Sequence, residues 1–196
     1  MSKTAWLLLL ICLLCTPLSR AQSVERFAPL PWPEPNQVRT ATGAPGPGYW
    51  QQRADYWIWA RLDTAQHRLE GKQRIRYTNH APEALERLWL QLDQNLFRPT
   101  SRGARLNPDG RWSGAFAAGG FAIQRVELVQ NGRRRPARYY IEDTRMGIEL
   151  EEPVPARGGT IVIELEWAFS IPEYGADRMG RMRTRRGWLY TIAQWY

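Results

Sequence analysis

The sequence predicts an all-β protein, an antiparallel β-sheet or sandwich. Three observations carry that prediction. Apolar and polar residues alternate at a spacing of two over 68–77 and 160–169, an Asn131-Gly132 pair stands between strand-like runs, and no segment shows an apolar stripe at helical spacing.

The chain opens on a segment to be set aside from the fold. Lys3 precedes an apolar run from Trp6 to Leu14, and Ser19-Arg20-Ala21 offers small residues at a cleavage position, so residues 1–21 read as a signal peptide cut before Gln22. A membrane anchor is the competing reading, but the run is well short of the roughly 20 apolar residues a span needs. Lipid attachment at Cys15 is a weaker alternative, because bulky Leu14 precedes it. Export to the periplasm or outside the cell is therefore expected. From Gln22 to Gly48, Pro29, Pro31, Pro33, Pro35, Pro45 and Pro47 describe an extended leader, read either as a flexible linker or as a segment that Trp32 anchors to a groove.

The folded part is expected to start near Tyr49. Asp55–Leu62 places Tyr56, Ile58, Ala60 and Leu62 on one face and Trp57 and Trp59 on the other, a strand apolar on both sides. Asp63–Gln66 turns the chain into a strand with Leu69, Gly71, Gln73, Ile75 and Tyr77 inward and the charged residues outward. After a loop or helical turn around Pro82, Leu88, Leu90 and Leu92 share one face of a third strand, which Asp93-Gln94-Asn95 ends. Residues 101–120 read as a long irregular loop.

Ile123–Gln130 forms the next strand. Asn131-Gly132, a dipeptide suited to positive φ, turns it back, and Arg138–Ile141 is the expected return. Met146–Leu150 is a short strand and Pro153–Gly159 a turn. Thr160–Phe169 then points Ile161, Ile163, Leu165, Trp167 and Phe169 inward, with Glu164 and Glu166 outward. The apolar, aromatic residues 187–196 read as a structural element that the chain cuts through, so the domain 49–196 is expected to be incomplete at that end.

Composition narrows the function classes. Cys12 and Cys15 both lie in the signal segment, which leaves the mature part without thiols for disulfides, clusters or nucleophilic catalysis. Losing Lys3 and Arg20 lowers the net charge from +8 to +6. Lys72 is then the sole lysine, and arginine, which forks onto phosphates and carboxylates, carries the rest. Export and the interleaving of arginines with acids argue against nucleic acid as partner. No zinc pattern joins the two histidines, His67 and His80, so no metal is expected to bind this part alone.

Other chemistry is weakly signalled. Glu164 and Glu166 stand about 7 Å apart on one strand face, a glycosidase spacing that any solvent-facing strand also produces. Glu142-Asp143 belongs to a turn, Ser113-Gly114 lacks the frame of a nucleophile elbow, and no phosphate loop is present. Arg178, Arg181, Arg183, Arg185 and Arg186 could clamp an anion or form a solvated loop.

The run Gly46–Tyr56, Tyr77-Thr78-Asn79 with Pro82, Leu88–Asn95 and the final Ile192-Ala193-Gln194-Trp195-Tyr196 resemble the start of exported bacterial members of the aminopeptidase N family of zinc metallopeptidases. The resemblance implies a β-rich saddle domain ahead of a thermolysin-like catalytic domain, whose HExxH helix and a later Glu hold Zn2+. The partners it implies are a peptide substrate and that catalytic domain, neither within this chain. It further implies that Gln194 holds the free amine of the substrate, an ammonium suited to an amide oxygen. No catalytic residue is expected here. The second hypothesis is a non-catalytic β-sandwich binding carbohydrate or protein through Trp57, Trp59 and Trp112.

Overall fold

The computed structural model describes residues 34–109, 119–173 and 179–196. The segment 1–21 expected to be a signal peptide, with Cys12 and Cys15, and also Trp32, Trp112, Ser113-Gly114 and Arg178, lie outside the described residues. Two compact units divide the chain, Met1–Tyr49 and Trp50–Tyr196.

In the first unit the proline-rich leader is more ordered than its composition suggests. Asn36 Oδ1 accepts hydrogen bonds from the amides of Val38 and Arg39, and Arg39 bridges Pro45. The Gly46 amide donates to the Val38 carbonyl at 2.8 Å. A β-carbon on Gly46 would lie 2.6 Å from the Gln37 carbonyl oxygen, so glycine is what lets the two arms approach. Residues 34–49 thus fold back on themselves between the prolines.

Among the described residues the second unit contains ten strands: β1 (Arg53–Asp63), β2 (Arg68–Asn79), β3 (Leu85–Gln91), β4 (Ala122–Gln130), β5 (Arg133–Pro136), β6 (Arg138–Glu142), β7 (Arg145–Val154), β8 (Gly159–Ser170), β9 (Met179–Thr184) and β10 (Gly187–Ile192). A 3-10 turn spans Asp93–Phe97, and the one α-helix among the described residues, α1 (Arg102–Leu106), lies in the segment expected to be irregular throughout. Ser101 makes that helix possible by capping it, its Oγ accepting from the Ala104 amide. Every strand pair is antiparallel. The sheets run β1-β2-β8-β4-β5, β3-β7-β6 and β10-β9.

The all-β prediction therefore holds. Ile75, Ile161, Ile163 and Leu165 from the large sheet join Leu88, Met146, Ile148 and Val154 from the small one in a single buried cluster, which makes the two sheets the layers of a sandwich. Burying one such side chain contributes about 1.5–3 kcal/mol, so the alternation in β2 and β8 decides which face turns inward. Asn79 closes one end of the layers. Wholly buried, it donates through Nδ2 to the carbonyls of Glu83, Val154 and Pro155, and its Oδ1 accepts from Ala81 N and Gln52 Nε2.

Two expectations about strands change. The strand that returns from Asn131-Gly132 is Arg133–Pro136, whereas Arg138–Glu142 crosses into the small sheet. Residues 179–184, read as part of an arginine loop, pair with 187–192 as a hairpin. β1, apolar on both sides as expected, is a sheet edge, with Tyr56, Trp57 and Trp59 exposed on it.

Candidate functional site

The inner faces of the two sheets part into a cleft of about 280 Å³. Gln73 and Trp167 line one wall, Leu90 and Leu92 the other, and Trp195 and Tyr196 lie at its side. The aromatic wall is built by a small residue. Gly71 on β2 faces Trp167 on β8, and the absence of a β-carbon there lets the indole lie flat over the strand. Trp167 then stacks on Phe169 at 5.9 Å, meets Phe121 edge-on at 5.6 Å and donates from Nε1 to Gln73 Oε1 at 3.1 Å. That bond satisfies the one polar atom of a buried indole.

Gln194 lies just beyond β10 with φ 53° and an exposed side chain. Positive φ is uncommon for glutamine. The backbone there is fastened by Gln94, 2% exposed, whose Nε2 donates to the carbonyls of Ala193 and Gln194, each at 3.1 Å. Gln94 Oε1 is buried and accepts no hydrogen bond among the described residues. Two donations from one amide fix which atom is nitrogen and pin the last turn of chain, leaving the Gln194 side chain as the free polar group. As an amide it supplies an acceptor oxygen for an ammonium and two N–H donors for a carbonyl.

Gln94 has no counterpart in the sequence reading, which took Asp93-Gln94-Asn95 only as a strand stop. The available signal was three polar residues in a row after a leucine face, with Gln94 and Asn95 both buried. Asn95 does parallel work, donating to the Asp143 carbonyl at 2.9 Å and accepting from Phe121 N at 3.0 Å.

The other sequence candidates have partners. Glu164 pairs with Arg134 and Arg74, and Glu166 with Arg125 at 2.7 Å and Lys72 at 3.2 Å. Arg134 chiefly holds the Glu164 carboxyl below the ordinary glutamate range, and the bond from Lys72 does the same for Glu166. Each of these acids is stabilised as a carboxylate, the opposite of what a proton donor to a glycosidic oxygen needs. Glu142 and Asp143 lie at the β6–β7 turn, where Asp143 has φ 52°.

His67 Nδ1 and the Tyr190 hydroxyl share a hydrogen bond of 2.7 Å, and Trp188 packs edge-on against the imidazole, so this histidine ties the β1–β2 turn to β10. Arg181 donates to the Ile171 carbonyl, and Arg181 and Arg183 both lie over the Trp188 ring. Among the described residues no three of His, Cys, Asp and Glu gather as a metal-ligand group, and no helix is long and apolar enough to cross a membrane.

No family model and no curated protein matches the chain. Among solved structures it is similar to an M1 zinc metallopeptidase from Deinococcus radiodurans, at 16% identity and a TM-score of 0.40 over 65% of this chain. A mutant of that enzyme bound to a Tyr-Ser-Ala substrate gives the same values. A two-domain M1 zinc metallopeptidase mutant bound to L-arginine matches at a TM-score of 0.37 over 60% of this chain. The chain spans about a fifth of the first of these proteins, 22% of its length. Likeness at this level assigns neither a fold family nor an activity.

Proposed function

We propose that this chain is the N-terminal domain of an exported zinc-dependent aminopeptidase, in which it shapes one wall of the cleft and presents Gln194 to the free amine of a peptide. The observation that carries the reading is the pairing of Gln94 with the chain at Gln194. A buried amide fixes the backbone while the neighbouring amide stays exposed beside an aromatic cleft. The resemblance of segments 46–56, 88–95 and 192–196 to the aminopeptidase N family supports it further.

In this role Gln194 Oε1 accepts a hydrogen bond from the substrate ammonium, and the pinned backbone keeps that oxygen in place before substrate arrives. Preorganisation of this kind lowers the ordering cost of binding. The described residues do not form a zinc site. In this reading the metal, which would activate water and polarise the scissile carbonyl, belongs to sequence that follows Tyr196.

Extending the reading frame tests the proposal first: an HExxH and a later glutamate are expected downstream, and a continuation without them removes it. In the whole protein Gln194→Ala should lower kcat/KM on aminoacyl anilides by about 10- to 100-fold, the worth of one hydrogen bond to a charged group. N-acetylated substrates, having no ammonium, should be turned over poorly by both proteins. Unaltered kinetics in Gln194→Ala would reject the assignment of this residue.

A further inference from the structure

β1 is the edge of the large sheet, and among the described residues it pairs with β2 alone. One side of its 11 residues therefore offers backbone donors and acceptors that no described strand uses, a template for a further strand. Edges are commonly blunted by proline, a bulge or a short length. This one has no proline, keeps unbroken register with β2 from Arg53 to Asp63, and exposes Trp57 at 43% and Trp59 at 62%.

The order of its side chains selects the occupant. Along the outer face stand Arg53, Asp55, Trp57, Trp59, Arg61 and Asp63. The two halves are opposite in charge about Ile58. We propose that β1 pairs antiparallel with β1 of a second copy of this chain, with Ile58 facing Ile58 on a two-fold axis, to make one continuous sheet. Trp57 then faces Trp59 of the other copy, Asp55 faces Arg61, and Arg53 faces Asp63, each contact occurring twice. Opposite charges and aromatic pairs across strands are the favourable combinations.

Facing residues in this register are both odd or both even in number. Their free backbone groups thus meet whichever set points outward. The ion pairs already present continue across the seam: Arg76 holds Asp55 at 2.9 Å and Arg61 holds Glu70 at 2.8 Å, so the joined face alternates in sign along Arg76, Asp55, Arg61 and Glu70. Sliding the pairing by two residues one way sets Asp55 against Asp63. The other way sets Arg53 against Arg61. Both neighbouring registers bring like charges together, which specifies the central one.

Sedimentation velocity of the full chain over about two decades of concentration is expected to show a monomer–dimer equilibrium. Asp55→Arg and Arg61→Asp, each made alone, should weaken the dimer about tenfold by setting like charges on the seam. The double exchange Asp55→Arg with Arg61→Asp should return the dissociation constant to within about threefold of its starting value. That protein carries both intramolecular losses, beside Arg76 and beside Glu70, so its recovery cannot come from the monomer. Should a charge variant fail to fold, Trp59→Lys, at the most exposed aromatic of the strand, should also lower affinity about tenfold.

A chain that stays monomeric across the range overturns the proposal. So does a dimer indifferent to the single changes, or one that both weaken and the exchange does not restore. A monomer whose tryptophan emission shifts with oligosaccharides would make this face a sugar site and overturn it equally.

Discussion

Gly71 and Trp167 are register partners on β2 and β8, and the indole fills the space a side chain at 71 would need: an ideal β-carbon there would lie 2.3 Å from Trp167 Cζ2. Neither atom set can yield, since Trp167 is 3% exposed and held by Gln73 and Phe169. Gly71→Ala is expected to destabilise the fold by about 1–3 kcal/mol through overpacking. Combining it with Trp167→Leu should cost less than the sum of the two separate changes, and urea unfolding of the four proteins measures that coupling.

Gln94 separates local order from global stability. Gln94→Leu removes the donor to the Ala193 and Gln194 carbonyls, and at the same time removes an oxygen that is buried without a partner among the described residues. The two effects oppose each other, so unfolding free energy should change by less than about 1 kcal/mol. Hydrogen exchange across residues 188–196 should nonetheless speed up markedly, by tenfold or so for about 1.4 kcal/mol of lost local protection. A large global loss with unchanged exchange would contradict this division.

Acid should loosen the outer face of the large sheet. Glu164 and Glu166 titrate below their ordinary range in the folded protein, through Arg134 and Lys72 in the first place. Because the folded values are depressed, their contribution is complete above the unfolded glutamate value of about 4.3 and disappears as pH falls through the folded ones. Thermal melts should therefore be flat from about pH 7 to pH 5 and decline below about pH 4. Glu164→Gln should lower the melting temperature by about 2–4 °C at neutral pH and leave less to lose in acid.

The legible parts of the fold were those where burial leaves a period. β2 and β8 each turn one face to the core, so Leu69, Ile75, Ile161 and Ile163 announce themselves by alternation. β5 carries Arg133, Arg134 and Arg135 and no apolar face at all. Its position comes from the Asn131-Gly132 turn and from ion pairs to Glu127 on the adjoining strand and to Glu152 and Glu164 further along the chain. The alternation of β9 is equally hidden, because Arg181, Met182 and Arg183 form no apolar stripe and Met179 alone reaches the core. For β1 both the period and the turn into β2 were legible, but not its place at the sheet edge, since periodicity carries no information about sheet order.

The surroundings of Gln194 were not legible in the same way. Gln194 was named from its motif, but the residue that fixes it sits a hundred positions earlier. A side chain holding main-chain carbonyls leaves no periodic trace. Its signature is a polar residue that burial makes expensive, and burial is visible only once the chain has folded.

The scarcity of lysine makes the outer face chemically addressable. Beyond Lys3, Lys72 is the sole lysine, it stands beside Trp59 in the β1–β2 register, and its side chain is well exposed. One amine-reactive dye would therefore attach to a single side chain in the folded part, a few ångströms from an aromatic quencher. The protein comes with a built-in reporter for whatever covers that edge.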